Sequence, residues 1–331
     1  MAYIMGMDGG GSKTFAVITD EEGRLLGRGV AGPGNYQVSG LVAVVANYRA
    51  AAAMALQQAG LRADDIDFVQ YGLAGADRQK DFGILLPALA QLPFRHWDLV
   101  CDTMEGLRAG SPDNVGVVLV CGSGTNAAGR NRQGKAVQTG GFGELFGDRT
   151  GGGHLAKEAF SCAVRSWELR EMPTALTDKI PQYLGYASME ETVNRFLDND
   201  IYEVPRDLAI VLHEAAAEGD ELSIRLLREA GRELGLAAVS VIRRLGGTGT
   251  IDGFGDETIP VVLIGSVVQE GRSPHLLGAL SDTIAAACDR FELVIPRVAP
   301  VYGAVMLAMD RLKLPVTEQM MGRFIEYGGY R

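Results

Sequence analysis

The chain has 331 residues, more than twice the roughly 150 of a typical domain, so two domains are expected. Apolar residues make up 47% and charged residues 22%, ordinary globular usage that excludes a disordered or fibrous chain. The net charge of −10 repels a nucleic-acid backbone on average and disfavours a DNA or RNA partner. Glycine stands out: 44 residues is about 13%, against a usual ~7%, so many tight turns are needed.

The first residues, Met1 to Asp8, carry no basic stretch ahead of a long apolar run, so no signal peptide is read there. The longest apolar stretches, 115–121 and 259–268, fall short of the ~20 residues a bilayer crossing needs. A cytoplasmic protein with no membrane partner is expected. Cys101, Cys121, Cys162 and Cys288 form no Cys-x-x-Cys pair, which points to buried reduced thiols rather than a zinc site or a disulfide framework.

Three strand-like runs open the chain, at 3–7, 15–19 and 25–30, the last two joined across Asp20-Glu-Glu-Gly23 as a meander. An alanine-rich helix over 41–58 ends at Gly60, a preferred C-cap residue. Strand 68–73, helix 77–91, a strand ending at Cys101 and a short helix 103–109 follow, the alternation of a partly parallel sheet. After the turn cluster Ser111-Pro-Asp-Asn114 the order begins again, with strands 115–121, 125–130 and 135–139. From Gly152 to about Leu245 the spacing is helical, with Leu222, Leu226, Leu227 and Leu234 on one face and Pro205 as a helix start. Strand 261–264, helix 274–289, strand 291–294 and helix 302–312 close the chain. The fold class read from this is α/β, duplicated, with domains 1–112 and 113–331, a helical insertion at about 152–245 and a last helix packing back toward the N-terminal domain. Two like halves facing each other leave a cleft, where function is expected. The plainer alternative is two α/β domains that share only common local order.

Each half places a glycine-rich turn between its first two strands: Asp8-Gly9-Gly10-Gly11-Ser12-Lys13-Thr14, and Gly122-Ser123-Gly124-Thr125-Asn126. Glycines let backbone N–H groups converge on an anion, and the adjoining hydroxyls add donors. Two such loops at matching places favour a polyphosphate over plain hairpins, with Lys13 reaching either phosphate or solvent. The first loop is not a Walker A motif, since Ser12 precedes Lys13 and Met7 stands where that motif needs glycine. The second is not a dinucleotide fingerprint, because a hairpin rather than a helix follows.

Asp8 and Asp102 end strands of the same half, where ligands gather in parallel sheets. Asp8 is placed to hold Mg²⁺ through water. Asp102 is placed to accept a proton from a substrate hydroxyl, or equally to cap the helix after it. The loop Gly140-Gly-Phe-Gly-Glu-Leu-Phe-Gly-Asp148 with Gly151-Gly-Gly153 places seven glycines around Asp148. Asp148 either bonds ligand hydroxyls or closes a turn leading into the helix. His96, His154, His213 and His275 lack metal-ligand spacing.

The ordered set Asp8 to Thr14, Gly72-Leu-Ala-Gly-Ala-Asp77, Cys101-Asp102, Gly122 to Asn126, Gly140-Gly-Phe-Gly143 with Gly147-Asp148, and Ile264-Gly-Ser-Val267 resembles the N-acetylglucosamine kinase family. That family is a sugar kinase branch of the actin-like ATPases, related to the activator ATPases of acyl-CoA dehydratases and benzoyl-CoA reductases. The resemblance spans nearly the whole chain and is weakest in the helical insertion. It implies two ribonuclease-H-like domains with an interdomain ATP cleft, ATP and Mg²⁺ as cofactors, and transfer of the γ-phosphoryl group to the 6-hydroxyl of an amino sugar. Asp102 matches the family's base. Ser12 and Ser123 match hydroxyls that contact the ATP phosphates, and Gly265 and Ser266 the segment beside the adenosine; Asp8, Gly10, Gly11, Lys13, Thr14, Gly122 and Gly124 join them as candidate nucleotide and metal residues from the loop reading. Asn35, Asn126, Gly143 and Asp148 match sugar-contacting positions, and Asp77 and Phe142 are candidates beside them. Where those kinases have Gly-Gly-Trp-Gly and Gly-Asp-Glu-Gly-Ser, this chain has Phe142 and Arg149, a departure that bears on the acetamido preference. The partner implied is a small-molecule sugar, and a homodimer is left open. The rival readings are an activator ATPase, which needs cluster-bearing cysteines this chain does not place suitably, and a nucleotide-gated binding module.

Overall fold

A computed structural model describes residues 2–246 and 253–328. In chain order, β1 (Tyr3–Gly9), β2 (Thr14–Asp20) and β3 (Leu25–Ala31) form the opening meander, followed by α1 (Tyr36–Ser39) and α2 (Leu41–Ala59). Then come β4 (Phe68–Leu73), α3 (Gln79–Leu89), β5 (Trp97–Val100) and α4 (Asp102–Gly110). The five strands make one mixed sheet in the order β3-β2-β1-β4-β5, antiparallel through β2 and parallel from β1 through β4 to β5.

Sequence dictates how closely α2 approaches this sheet. A Cβ on Gly27 or Gly29 of β3 would stand 2.0 or 2.1 Å from the carbonyl oxygens of Ala55 and Ala51. Glycine on the strand facing alanine on the helix lets the two backbones nearly touch, and Ala51, Ala52 and Ala55 are buried there with Met5, Met7, Ile18, Tyr48 and Tyr71. Gly60 ends α2 in the left-handed conformation, φ 67°, as a C-cap glycine does.

The second sheet is built from β6 (Gly116–Cys121), β7 (Thr125–Arg130), β8 (Ala136–Thr139), β9 (Ile259–Ile264) and β10 (Phe291–Val294), in the order β10-β9-β6-β7-β8. Between β8 and β9 the chain is helical: α5 (Gly152–Trp167), α6 (Leu176–Leu184), α7 (Met189–Asp198), α8 (Leu208–Ala217) and α9 (Glu221–Gly246). Leu222, Leu226, Leu227 and Leu234 share the buried face of α9. Between β9 and β10 lie α10 (Ser266–Gln269) and α11 (Pro274–Ala285).

The chain ends with α12 (Pro300–Leu312) and α13 (Glu318–Glu326). Helix α12 packs on β1, β4 and α4. Gly6 and Gly303 permit this, since Cβ atoms there would meet the carbonyl oxygens of Val301 and Glu105 at 2.6 and 1.9 Å. The buried Arg108 of α4 is anchored by Asp310 of α12, with Nε–Oδ2 2.8 Å and Nη2–Oδ1 3.2 Å. Two compact units result, Met1–Val118 with Val294–Arg331, and Leu119–Leu293. Among the described residues no helix is long and apolar enough to cross a membrane.

Some boundaries differ from the sequence reading. Helix α3 begins at Gln79, not Asp77, because Arg78 takes the cap position and its N–H donates to Asp81 at 2.9 Å. Pro205 does not start a helix; it accepts from Leu208 N in a turn, and α8 begins at Leu208. Helix α11 stops at Ala285, short of Asp289. The four-residue α1 and α10 are too short for a periodic signal. Helix α13 carried one that was missed: Thr317 caps it, accepting from Met320 N at 3.2 Å, and Met320 and Phe324 are buried one turn apart.

Candidate active site

In the first unit the register of three parallel strands builds the site. Asp8 of β1 pairs with Gly72 of β4, and Gly72 with Val100 of β5, so the C-terminal strand ends lie side by side. Asp8, the Gly72–Asp77 segment and Cys101-Asp102 are thereby brought to one edge. Asp102 opens α4 as its first helical residue, with Cys101 at the cap position. Asp102 is therefore not the helix N-cap.

The geometry concentrates carboxyl groups. Asp8 and Asp102 are half-buried, and Glu105, which the sequence reading missed, is completely buried. Among the described residues no amide, hydroxyl or cation satisfies the Glu105 oxygens; their partner is the Asp8 carboxyl. A slot left by glycine makes room for it: a Cβ on Gly72 would lie 2.1 Å from Glu105 Oε2. Burial, then the Asp102 charge, raises the Asp8 carboxyl from 3.8 to about 7. Burial raises Asp102 and pushes Glu105 well above the usual carboxylate range, the latter reinforced by the charges of Asp8 and Asp102. The Cys101 thiol reaches Asp77 Oδ1 at 3.3 Å and Asp102 Oδ1 at 3.2 Å.

The first glycine turn closes through Gly10 N–H to Lys13 O at 2.9 Å, leaving Gly11, Ser12 and Lys13 exposed. Lys13 lies over the Phe15 ring, 5.9 Å from its centroid. Thr14 is not brought to this edge: it is fully buried and donates to Gly32 O at 2.9 Å. Asn35 caps α1, accepting from Gln37 N at 2.9 Å, and its Oδ1 faces Gly75, which at φ 82° has no room for a side chain.

In the second unit three glycine-bearing segments converge. Gly265, at φ 102°, lies against the second glycine turn; a Cβ there would be 2.5 Å from the Cys121 carbonyl and 2.7 Å from Gly122 N. Gly152 N–H and Gly153 N–H at the start of α5 donate to Gly122 O and Ser123 O at 2.7 and 3.2 Å. Ser123 and Gly124 are exposed, and Ser266 opens α10 next to Gly265. Asn126 sits beneath Gly141, its Oδ1 buried without a donor. Asp148 Oδ2 accepts from Phe142 N at 2.7 Å and Gly143 N at 2.6 Å, so this carboxylate shapes the loop that carries it. Phe142 is exposed and meets Phe146 edge to face.

Ser123, Gly124, Gly143 and Asp148 line a pocket of about 490 Å³. Its walls add residues the sequence reading passed over: Glu144, Lys157, Glu203 and Arg206, with His154. Lys157 Nζ holds both Glu144 oxygens at 3.1 and 3.2 Å. A larger hollow of about 770 Å³ in the first unit, between the end of α4 and α13, contains none of the candidate residues.

The donor sets suit MgATP in kind. Exposed turn amides and Ser hydroxyls fit phosphate oxygens. Among the described residues no three Asp, Glu, His or Cys side chains form a metal-holding group; Asp8, at the strand end beside the first turn, is the carboxylate that would face a water-borne Mg²⁺.

The chain is 29% identical over 247 residues to an N-acetylmuramic acid/N-acetylglucosamine kinase of Clostridium acetobutylicum, covering 74% of this chain and 81% of the relative. It is 26% identical over 322 residues to an N-acetyl-D-glucosamine kinase of Dictyostelium discoideum, covering 94% and 98%. Its fold matches a Chromobacterium violaceum protein provisionally named N-acetylglucosamine kinase, with TM-score 0.66 at 23% identity over 93% of this chain and 99% of that one. The model of the BadF/BadG/BcrA/BcrD ATPase family matches residues 5–308, and the chain belongs to that family.

Proposed function

We propose that this chain is an ATP-dependent sugar kinase that transfers the γ-phosphoryl group of MgATP to the 6-hydroxyl of an amino sugar, N-acetylglucosamine or glucosamine. The observation that carries the reading is the strand-end constellation in which Asp102, its carboxyl raised by burial, stands beside Asp77 and near Asp8. The names of the two relatives support the substrate class.

The two glycine turns bind the phosphates of MgATP. The first turn, with Ser12, and the second, with Ser123 and Gly124, donate to phosphate oxygens, while Gly265 and Ser266 flank the adenosine. Asp8 orients the metal through water. Asn35, Asp77, Asn126, Gly143 and Asp148 position the sugar. Asp102 takes the proton of the attacking hydroxyl, and burial makes it a stronger base than a free carboxylate. Bound MgATP supplies the transferable phosphoryl group and the divalent charge that offsets the phosphates. The units are the ribonuclease-H-like domains of this reading, and α5 to α9 the insertion in the second. The activator-ATPase alternative fits less well, because Cys101, Cys121, Cys162 and Cys288 are all buried and none is displayed for a cluster.

The test is a screen of N-acetylglucosamine, glucosamine, N-acetylmuramic acid and glucose with MgATP, reading ADP release and the phosphorylated sugar. Asp102→Asn is expected to lower turnover by ~10²- to 10⁴-fold while retaining nucleotide binding. Acceptor-independent ADP release, or full activity of that variant, overturns the proposal.

A further inference from the structure

We propose that Cys101 is a positioning residue for phosphoryl transfer: its thiol hydrogen bridges Asp102 and Asp77 and holds the base in line with the sugar-side carboxylate. This rests on the kinase reading above. The sulfur lies 3.2 Å from Asp102 Oδ1 and 3.3 Å from Asp77 Oδ1. Among the described residues no other side chain donates to Asp102. Two carboxylates sharing an edge repel one another, and a single S–H shared between them replaces part of that repulsion with attraction.

The surroundings make this donor consequential. Cys101 is buried, and burial and the nearby charges of Asp102 and Asp77 keep its thiol protonated, so it serves as donor and not as a third anion. One turn along α4, Glu105 is completely buried and meets the Asp8 carboxyl, so it brings no compensating cation or amide to this edge. Cys101 is also fixed in place as the cap residue of α4, where its carbonyl accepts from Met104 N at 2.9 Å. The Thr103 hydroxyl and backbone N–H also meet the sulfur, which leaves the thiol little freedom to turn away from the two carboxylates. Losing it frees Asp102 to rotate away from Asp77, which lowers the fraction of complexes with the base facing the hydroxyl.

The experiment compares Cys101→Val, close in volume without a donor, with Cys101→Ser, which keeps one. On the full chain with MgATP and the best acceptor of the screen, the Val variant is expected to lose about tenfold in kcat, the scale of one hydrogen bond to a charged group. Its KM for MgATP stays unchanged, while its KM for the sugar rises through Asp77. The Ser variant is expected to stay within about threefold of the parent in kcat, a rescue that a packing role would not produce. If the Val variant does not fold, Cys101→Ala takes its place against Ser at equal folded fraction. A donor-free variant within about twofold of the parent, or a Ser variant as slow as the donor-free one, overturns the inference and leaves the kinase reading standing. A parent protein that phosphorylates no sugar removes both.

Discussion

Asp8→Asn should stabilise the magnesium-free protein, and more so as pH rises. Burial and the Asp102 charge move the Asp8 carboxyl from 3.8 in the unfolded chain to about 7 in the folded one. A group whose folded-state value is raised binds more protons when folded, so its contribution is most favourable below pH 3.8 and is lost as pH climbs through 7. At about 1.4 kcal/mol for each pH unit, the cost relative to a neutral side chain is about 2 kcal/mol at pH 5 and about 4 kcal/mol at pH 8. These figures are ceilings, because half-buried Asp8 keeps some access to water. Urea unfolding with a chelator at pH 5, 6, 7 and 8 reads the effect as the gap between the two proteins, which cancels the titrating groups remote from Asp8 and includes its coupling to Asp102 and Glu105. The gap should widen across that range, and the variant should lose Mg²⁺-dependent nucleotide binding. A gap constant from pH 5 to 8 would refute the claim that the fold raises this carboxyl to about 7.

Gly265→Ala should lower stability by ~1–3 kcal/mol, since φ 102° is glycine territory and the new methyl would press on the Cys121 carbonyl at 2.5 Å. Because Gly122 lies in the same contact, KM for MgATP should rise in that variant, and unchanged kinetics would separate this segment from the nucleotide. Asp310→Ala should cost about 2 kcal/mol by urea unfolding, because it strips the partner from an Arg108 side chain only 6% exposed. Retained stability would mean water or another acceptor satisfies that guanidinium.

What the sequence made legible follows from how locally each feature is specified. The opening meander, the β4 strand and the α2 stop at Gly60 were readable because turn chemistry and period belong to neighbouring residues. Asp8, Asp77 and Asp102 could be nominated for the same reason, lying at strand ends or just after them. Glu105 could not. On α4 it reads as an ordinary polar position, and it is buried by two glycines far away in the chain, Gly72 on β4 and Gly303 on α12. Thr14 shows the converse: its place in the turn invites a phosphate role, yet its hydroxyl is turned inward to Gly32 O. The Lys157–Glu144 pair and Arg206 were equally hidden, since only tertiary packing sets α5 and the chain before α8 around one pocket.

The charge balance of these sites constrains how a triphosphate is held on the proposed reading. At the first-unit edge Asp8, Asp77, Asp102 and Glu105 gather, with Lys13 the cation acting on Asp8. In the second-unit pocket Lys157 and Arg206 stand against Glu144, Asp148 and Glu203, so that lining is not cationic either. Neither place offers the surplus of positive side chains that would draw in free ATP, and the chain as a whole is negative by 10. Phosphate charge must therefore be met by neutral donors, the turn amides and serine hydroxyls, and by a divalent cation that arrives with the nucleotide. Neutral donors are little affected by salt, whereas a lysine-built phosphate site weakens steeply with ionic strength. The nucleotide affinity should accordingly depend strongly on Mg²⁺ and weakly on added potassium chloride; a steep loss of MgATP affinity with salt would locate the phosphates on side-chain cations instead of the glycine turns.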